Sequence, residues 1–401
     1  MKDIVILGAG LAAAPLIRQI MLKSVLQQDD LRLTVIAPNT HFHWPIAMPR
    51  VILPDHWSEH KAMFELYPFF KDYPPERFEF VLGAASSMDL EGKHITVALN
   101  RGGVYTVHYD TLVIATGSTA QDHVLWTVLG TTEETKEKLH ALWDDIRRSE
   151  TIVIAGGGPT GTETAGEIAY EYNGEKEVYF VYDDDLPLGP STLDSVRKQV
   201  VKELSKLKVN LLPKTRVAEV TKDGKDTILQ LRRADGSFQT LRTQAYIPAT
   251  GTKPNTAFAP KEILDNRGFI KQTKYLQVED HTDIFVLGDA GNLESNRAMY
   301  ADSQCLHLIK NLPIYLSGGK MTPYKKNRKE MMAVTLGRKR ATGQLGNIKI
   351  LSLLLWYAKG RWMGRDYAYD LAAGRRSLST VIEKRRRQQV NTVFMFGKCL
   401  L

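Results

Sequence analysis

The sequence predicts an α/β protein built from two copies of one strand–turn–helix–strand unit, followed by a small basic region. Three observations carry this. A short apolar run, Asp3 to Leu7, leads straight into Gly8-Ala9-Gly10-Leu11-Ala12-Ala13. A second run, Thr151 to Ala155, leads into Gly156-Gly157-Gly158-Pro159-Thr160-Gly161, 148 positions later (156 minus 8). After Gly318-Gly319 the chain turns strongly cationic. Its 401 residues, 43% hydrophobic and 24% charged, have the balance of a globular protein, which excludes a disordered, collagen-like or coiled-coil chain.

Taken in order, Ala14 to Gln27 reads as a helix and Leu31 to Ala37 as the second strand of the first unit. In the second unit a helix runs from Thr162 to about Tyr172, and Glu177 to Tyr182 is the next strand. Two matching phrases close the units: Tyr109 to Gly117, ending Ala115-Thr116-Gly117, and Ala245 to Gly251. Each reads as a buried strand that stops at a tight turn. Residues 80–110 and 207–245 alternate apolar and polar around glycine turns at 92, 102–103, 224 and 236, the pattern of antiparallel meanders. His281 to Leu287 is a further strand, ending at Gly288-Asp289. We therefore divide the chain into a discontinuous first domain (1–125 and 256–319), a second (126–255) and a basic C-terminal domain (320–401).

A glycine turn between a buried strand and a helix brings backbone amides, and the positive end of the helix dipole, to a pyrophosphate. Gly8, Gly10 and Ala13 meet this Rossmann-like pattern, with Ala9, Leu11 and Ala12 completing the contact surface. The acidic residue that usually follows the second strand is missing, and Asn39 is the polar side chain left to serve the ribose. Gly156, Gly158 and Gly161 give a complete second fingerprint, and Asp183 stands 22 residues after Gly161. A carboxylate there accepts from a 2′-hydroxyl and repels a 2′-phosphate, so NADH is expected ahead of NADPH. Asp289, at a turn after a strand, suits a ribitol hydroxyl. Two dinucleotide sites in one chain imply hydride exchange between a nicotinamide and a flavin. The turns at Ala115-Thr116-Gly117, Gly251 and Gly288 are the expected lining of these sites.

These phrases, with His41-Phe42 through Pro49-Arg50 and Ile152 to Glu167, resemble the pyridine nucleotide-disulfide oxidoreductase superfamily over residues 3–350. Within it the chain is most similar to the apoptosis-inducing-factor-like and ferroptosis-suppressor-type branch, kin to type II NADH dehydrogenases. The resemblance implies an FAD domain, an NAD domain and non-covalent FAD. It also implies that Arg50 contacts FAD, that the Ala85 backbone meets the adenine, that Asp289 binds the flavin, and that Glu163 lies at the flavin–nicotinamide stack. The superfamily's redox dithiol has no counterpart: Cys305 and Cys399 lack C-x-x-C spacing, and Cys305 reads as a buried thiol inside a helix. No metal-ligand spacing is present among the ten histidines and two cysteines.

The expected activity is oxidation of NADH by an FAD enzyme that reduces a quinone-like acceptor. Two rivals stay open: a tailoring oxidoreductase of a specialised metabolite, and a basic binding protein with a structural flavin that grips nucleic acid or a partner. Residues 320–401 hold 19 Lys+Arg and 4 Asp+Glu (net +15), leaving 34 and 41 (net −7) for the rest. An apolar run, Ile350 to Ala358, and helical spacing at Leu378, Val381 and Ile382 before Lys384-Arg385-Arg386-Arg387 suit an anionic membrane surface. A solvated basic face packed on the FAD domain is the alternative. No secretory signal or spanning segment is visible, so the expected location is cytoplasmic with peripheral membrane contact. Oligomeric state is not legible.

Overall fold

The computed structural model describes residues 1–326 and 331–383. Its largest sheet has eight strands, in the spatial order 277–278, 281–286, 111–114, 2–7, 31–37, 78–89, 94–99 and 104–108. The five strands from His281–Val286 across to Phe78–Asp89 run parallel. They are apolar on both faces because both faces are covered, and Ile4, Val5, Ile6, Leu112 and Val113 are all buried. The last two strands continue antiparallel as the expected meander. Its first strand is shared with the parallel sheet, which joins the two into one surface.

The second unit repeats the parallel core with four strands, in the order Asn210–Leu212, Glu177–Val181, Thr151–Ala155 and Ala245–Pro248. The meander Thr215–Asp223, Asp226–Arg233 and Phe238–Thr243 forms its own antiparallel sheet. Two helix boundaries differ from expectation. The first helix is Ala13–Lys23 followed by a single tight turn, Val25–Gln27, because the buried Ser24 leaves helical geometry. The second unit's helix starts earlier, at Pro159, where proline's missing N–H costs nothing.

The C-terminal region lies across both units. Its strands Met331–Thr335, Ala341–Leu345 and Ile348–Lys349 form a small antiparallel sheet. This sheet reaches the Pro159–Tyr172 helix so closely that a Cβ on Gly166 would sit 2.9 Å from the Gly337 nitrogen. Ser352–Leu355 passes into a five-residue π-helical turn, Trp356–Gly360, before the helix Arg365–Ala372. Residues 375–383 then fold back on the first unit. The helical spacing at Leu378, Val381 and Ile382 is not realised as a helix there. Asp302 captures the Leu378 amide (2.6 Å) and the Ser379 amide (3.2 Å), and Arg376 bridges Val381. Glu383 anchors the segment on Arg18 (2.9 Å) and Gln19 (2.7 Å). Lys384–Arg387 and Cys399 lie outside the described residues. Among the described residues no helix is long and apolar enough to cross a membrane.

Candidate active site

Sheet register collects the predicted turns at one edge. Leu7 lies opposite Ile114, and Val286 opposite Ile114, so these three strands end together. Gly8, Ala115-Thr116-Gly117 and Gly288-Asp289 therefore share the carboxyl edge of the first sheet, where open α/β sheets bind ligands. In the second sheet Ala155 is level with Val181 and Pro248. Gly156, the acidic triplet at Asp183 and the Ala249–Gly251 turn share that edge.

The glycines are required by contact. Gly8 has φ +105°, and a Cβ there would lie 2.3 Å from the Ala115 carbonyl oxygen. Gly156 has φ +120° and stands in the same relation to Ala249, at 2.2 Å. A Cβ on Gly161 would meet the Gly156 oxygen at 2.0 Å, so the helix crosses the strand end at backbone distance. Gly10 and Gly158 differ: a Cβ on either would face open space. The helix behind Gly158 begins without a side-chain cap, leaving its first amides free to donate outward. Behind Gly10 the amides of Ala13 and Ala14 turn back to the Gly10 carbonyl (3.0 and 2.9 Å), so in the first unit it is the open glycine face that fits a pyrophosphate.

At the first edge, Asp289 accepts from the Ser118 hydroxyl (2.8 Å), and burial raises its carboxyl above the ordinary range. Gly288 brings this turn against Ala12, where a Cβ would meet the alanine Cβ at 3.6 Å. Thr116 is locked to Asn255 by two hydrogen bonds, 2.8 and 3.0 Å. Ala85 lies three residues past Leu82, which pairs with Ala37 at the sheet's edge. Asn39 is buried and donates to the Gly130 carbonyl (2.9 Å), tying it to the start of the Thr132–Arg148 helix. Asp183 is exposed and paired with Arg216 (2.8 Å). The strand before it ends at Val181, whose carbonyl accepts from Gly156, so Tyr182 takes the strand-end position.

Arg50 is 2% exposed, and its guanidinium holds both oxygens of Glu167, at 2.6 and 2.9 Å. It also donates to the carbonyls of Gly360 (3.0 Å) and Arg361 (3.3 Å). The structure thus shows the guanidinium in a structural task that the sequence does not announce. Trp57 has two guanidiniums over its ring, those of Arg50 and Arg365, each 5.4 Å from the ring centre. Beside it, burial and the charges of Arg338 and Arg50 push His56 down to about 4. Trp44 is fully buried and donates to the Met363 carbonyl, a core role.

Glu163 stands one turn into the helix behind the second glycine turn and is buried. One of its oxygens accepts from the Thr335 amide (2.9 Å) and from Nζ of Lys359 (2.7 Å). Lys359 also donates to the Ala333 carbonyl (2.8 Å). Sequence reasoning missed Lys359. It sits in the π-helical turn, a distortion common at functional sites. The available signal was one lysine in an otherwise apolar stretch, Ile350 to Ala358 and its continuation. Cys305 is buried and its thiol pushed far up by burial. No three-residue His/Cys/Asp/Glu group able to hold a metal occurs among the described residues.

The model of the pyridine nucleotide-disulphide oxidoreductase family matches residues 2–304. Oxidoreductase ptaL of Pestalotiopsis fici is 34% identical over 363 residues, covering 88% of this chain and 94% of its own. Ferroptosis suppressor protein 1 of Mus musculus is 26% identical over 89% of this chain and 92% of its own. Among solved structures, NDH2 from Plasmodium falciparum in complex with NADH matches the fold with a TM-score of 0.71 at 14% identity, over 92% of this chain and 97% of that one.

Proposed function

The chain belongs to the pyridine nucleotide-disulphide oxidoreductase family, and from that premise we propose that it passes hydride from NADH to bound FAD and electrons onward to a quinone-like acceptor. It is an FAD- and NAD(P)H-dependent oxidoreductase. The observation that carries the finer reading is the pair of buried Glu163 and half-buried Lys359, on the helix that follows the second glycine turn and the segment packed against it. FAD, when bound, accepts hydride and releases electrons singly or in pairs. The chain's own residues position and neutralise. Gly8 to Ala13 would hold the FAD pyrophosphate, Asp289 a ribitol hydroxyl, and Gly156 to Gly161 the nicotinamide dinucleotide. Glu163 and Lys359 would present a fixed acceptor and a fixed donor beside the second glycine turn, a preorganised charge pair. Holding both dinucleotides at once turns a bimolecular encounter into a nearly unimolecular one.

The quinone-like acceptor and a peripheral membrane contact are supported by the exposed apolar and cationic surface around Leu351 to Tyr357. A second reading, a tailoring oxidoreductase with a different acceptor, is favoured by the 34% identity to Oxidoreductase ptaL. The deciding experiment is an anaerobic spectrum. NADH should bleach the flavin, and a soluble quinone added next should restore its colour. Bleaching without recovery would remove the quinone step, and no bleaching by either reduced coenzyme would remove the hydride step.

A further inference from the structure

The carboxylates Asp183, Asp184 and Asp185 at the carboxyl edge of the second sheet are each paired with a cation. Asp183 meets Arg216 at 2.8 Å, Asp184 meets Arg197 at 2.6 Å, and Asp185 meets Lys214 at 2.7 Å. Arg197 is shared with Asp194, at 3.6 Å, so four carboxylates face three cations and the negative field of the triplet is largely offset. The rim therefore repels a 2′-phosphate much less than three bare carboxylates would. The arrangement follows from backbone pairing: the Thr215 amide bonds the Tyr182 carbonyl and the Lys214 amide bonds the Asp184 carbonyl. This lays 214–216 alongside 182–184. Tyr182, at the strand end where an acid usually receives the ribose diol, is 3% exposed and packs its ring on Phe180 at 5.1 Å. The first side chains that meet solvent at this edge are Asp183 and Arg216.

We infer that Arg216 and Asp183 form a two-way coenzyme selector, through which the chain accepts the 2′-phosphate of NADPH as well as the 2′-hydroxyl of NADH. This rests on the reading of the second glycine turn as the nicotinamide dinucleotide site. The pair is solvent-exposed, with side chains 76% and 53% accessible, so separating its partners costs little. Released by a 2′-phosphate, Arg216 offers a forked donor that matches phosphate oxygens. Left with a plain ribose, Asp183 turns to accept from the diol while Arg216 stays hydrated. Lys214 adds a second cation beside the same turn.

The test compares binding of adenosine 2′,5′-bisphosphate and 5′-AMP, which differ only in the 2′-phosphate, by calorimetry on the FAD-loaded protein. Wild type should bind the bisphosphate at least as tightly as 5′-AMP. Arg216→Ala should weaken the bisphosphate by about ten-fold, the worth of a charge-assisted hydrogen bond, and leave 5′-AMP within about two-fold. Asp183→Asn should shift the ratio the other way. An unchanged ratio in Arg216→Ala, or a wild type that rejects the bisphosphate while binding 5′-AMP, overturns the selector. Flavin reduction by NADH and NADPH is followed in parallel. If neither coenzyme bleaches the flavin, the proposed reaction fails while the binding ratio still decides the selector.

Discussion

Lys359 places its Nζ 2.7 Å from a carboxylate oxygen of Glu163, 196 positions away in the chain. The contact joins the C-terminal region to the helix that closes the second glycine turn. Glu163 is buried, and its other named donor is the Thr335 amide. Removing the lysine leaves a buried carboxylate with too few donors.

Lys359→Met should therefore slow flavin reduction by NADH by about 10²-fold, the usual loss when one preorganised charge partner is removed. Glu163→Gln keeps the shape and the Thr335 bond, so it isolates the effect of charge. Stopped-flow reduction of FAD-loaded protein reads both. Wild-type rates in both variants would reduce the pair to a structural clip.

Arg50 and Glu167 make the opposite kind of prediction, one about the fold. Both are almost wholly inaccessible, with side chains 3% and 0% exposed. Arg50→Ala strands a buried charge and should cost about 3–5 kcal/mol. Arg50→Lys should rescue little, because a single ammonium cannot span both Glu167 oxygens and the carbonyls of Gly360 and Arg361. Arg50→Met combined with Glu167→Leu should recover most of the loss. Urea midpoints of the four proteins check this, and a double variant no better than Arg50→Ala refutes it.

Acid stability follows from two histidines. Burial pushes His43 down to about 4, and His56 is lowered to about 4 by burial and the nearby arginines. An unfolded histidine titrates near 6.5. Between about 6.5 and 4 the unfolded chain binds the protons and the folded chain does not, so stability falls as pH falls through that window. For the buried His43 the full effect is about 3 kcal/mol. His43→Met also deletes a buried ring nitrogen that lacks a partner. It should flatten the decline in Tm from pH 7 to 4. An unaltered slope would mean that His43 takes up its proton in the folded state.

The glycine turns were legible because sterics leave no alternative. Gly8 and Gly156 each abut a carbonyl from a neighbouring strand, and no other residue tolerates that approach at positive φ. Asp289 was legible because strand ends in parallel sheets share an edge. Lys359 was not, since pairing across 196 positions depends on how a third region docks, and local sequence does not encode docking. For the same reason the sequence did not reveal Glu167 as the partner of Arg50. At Asp183 the strand stops one residue earlier than its apolar pattern implies, at Val181 instead of Tyr182. At Leu378 the helical spacing is not realised, because Asp302 holds the Leu378 and Ser379 amides while the Ile382 and Glu383 amides turn back to the Arg375 carbonyl.

The same docking leaves one apolar surface uncovered. Ile348, Leu351, Leu353 and Tyr357 are 67–73% exposed, and Leu354 is 59% exposed. Lys339, Arg340, Lys349 and Arg361 are exposed in the same region of the chain. Apolar side chains beside cations are the combination that inserts into an anionic bilayer surface. The proposed quinone-like acceptor would partition into that bilayer, so docking would bring it to the enzyme. Wild type should co-sediment with phosphatidylserine-containing vesicles at low salt and less with pure phosphatidylcholine. Raising ionic strength to 0.1 M and beyond shortens the screening length to about 10 Å and should release part of the protein. Leu353→Ser with Leu354→Ser should abolish sedimentation on both lipids while leaving flavin reduction by NADH at the wild-type rate, because both side chains face solvent, 72% and 59% exposed. Wild-type protein that stays in the supernatant with anionic vesicles at low salt would end the membrane reading. Sedimentation that survives the double substitution would instead move the contact away from this surface.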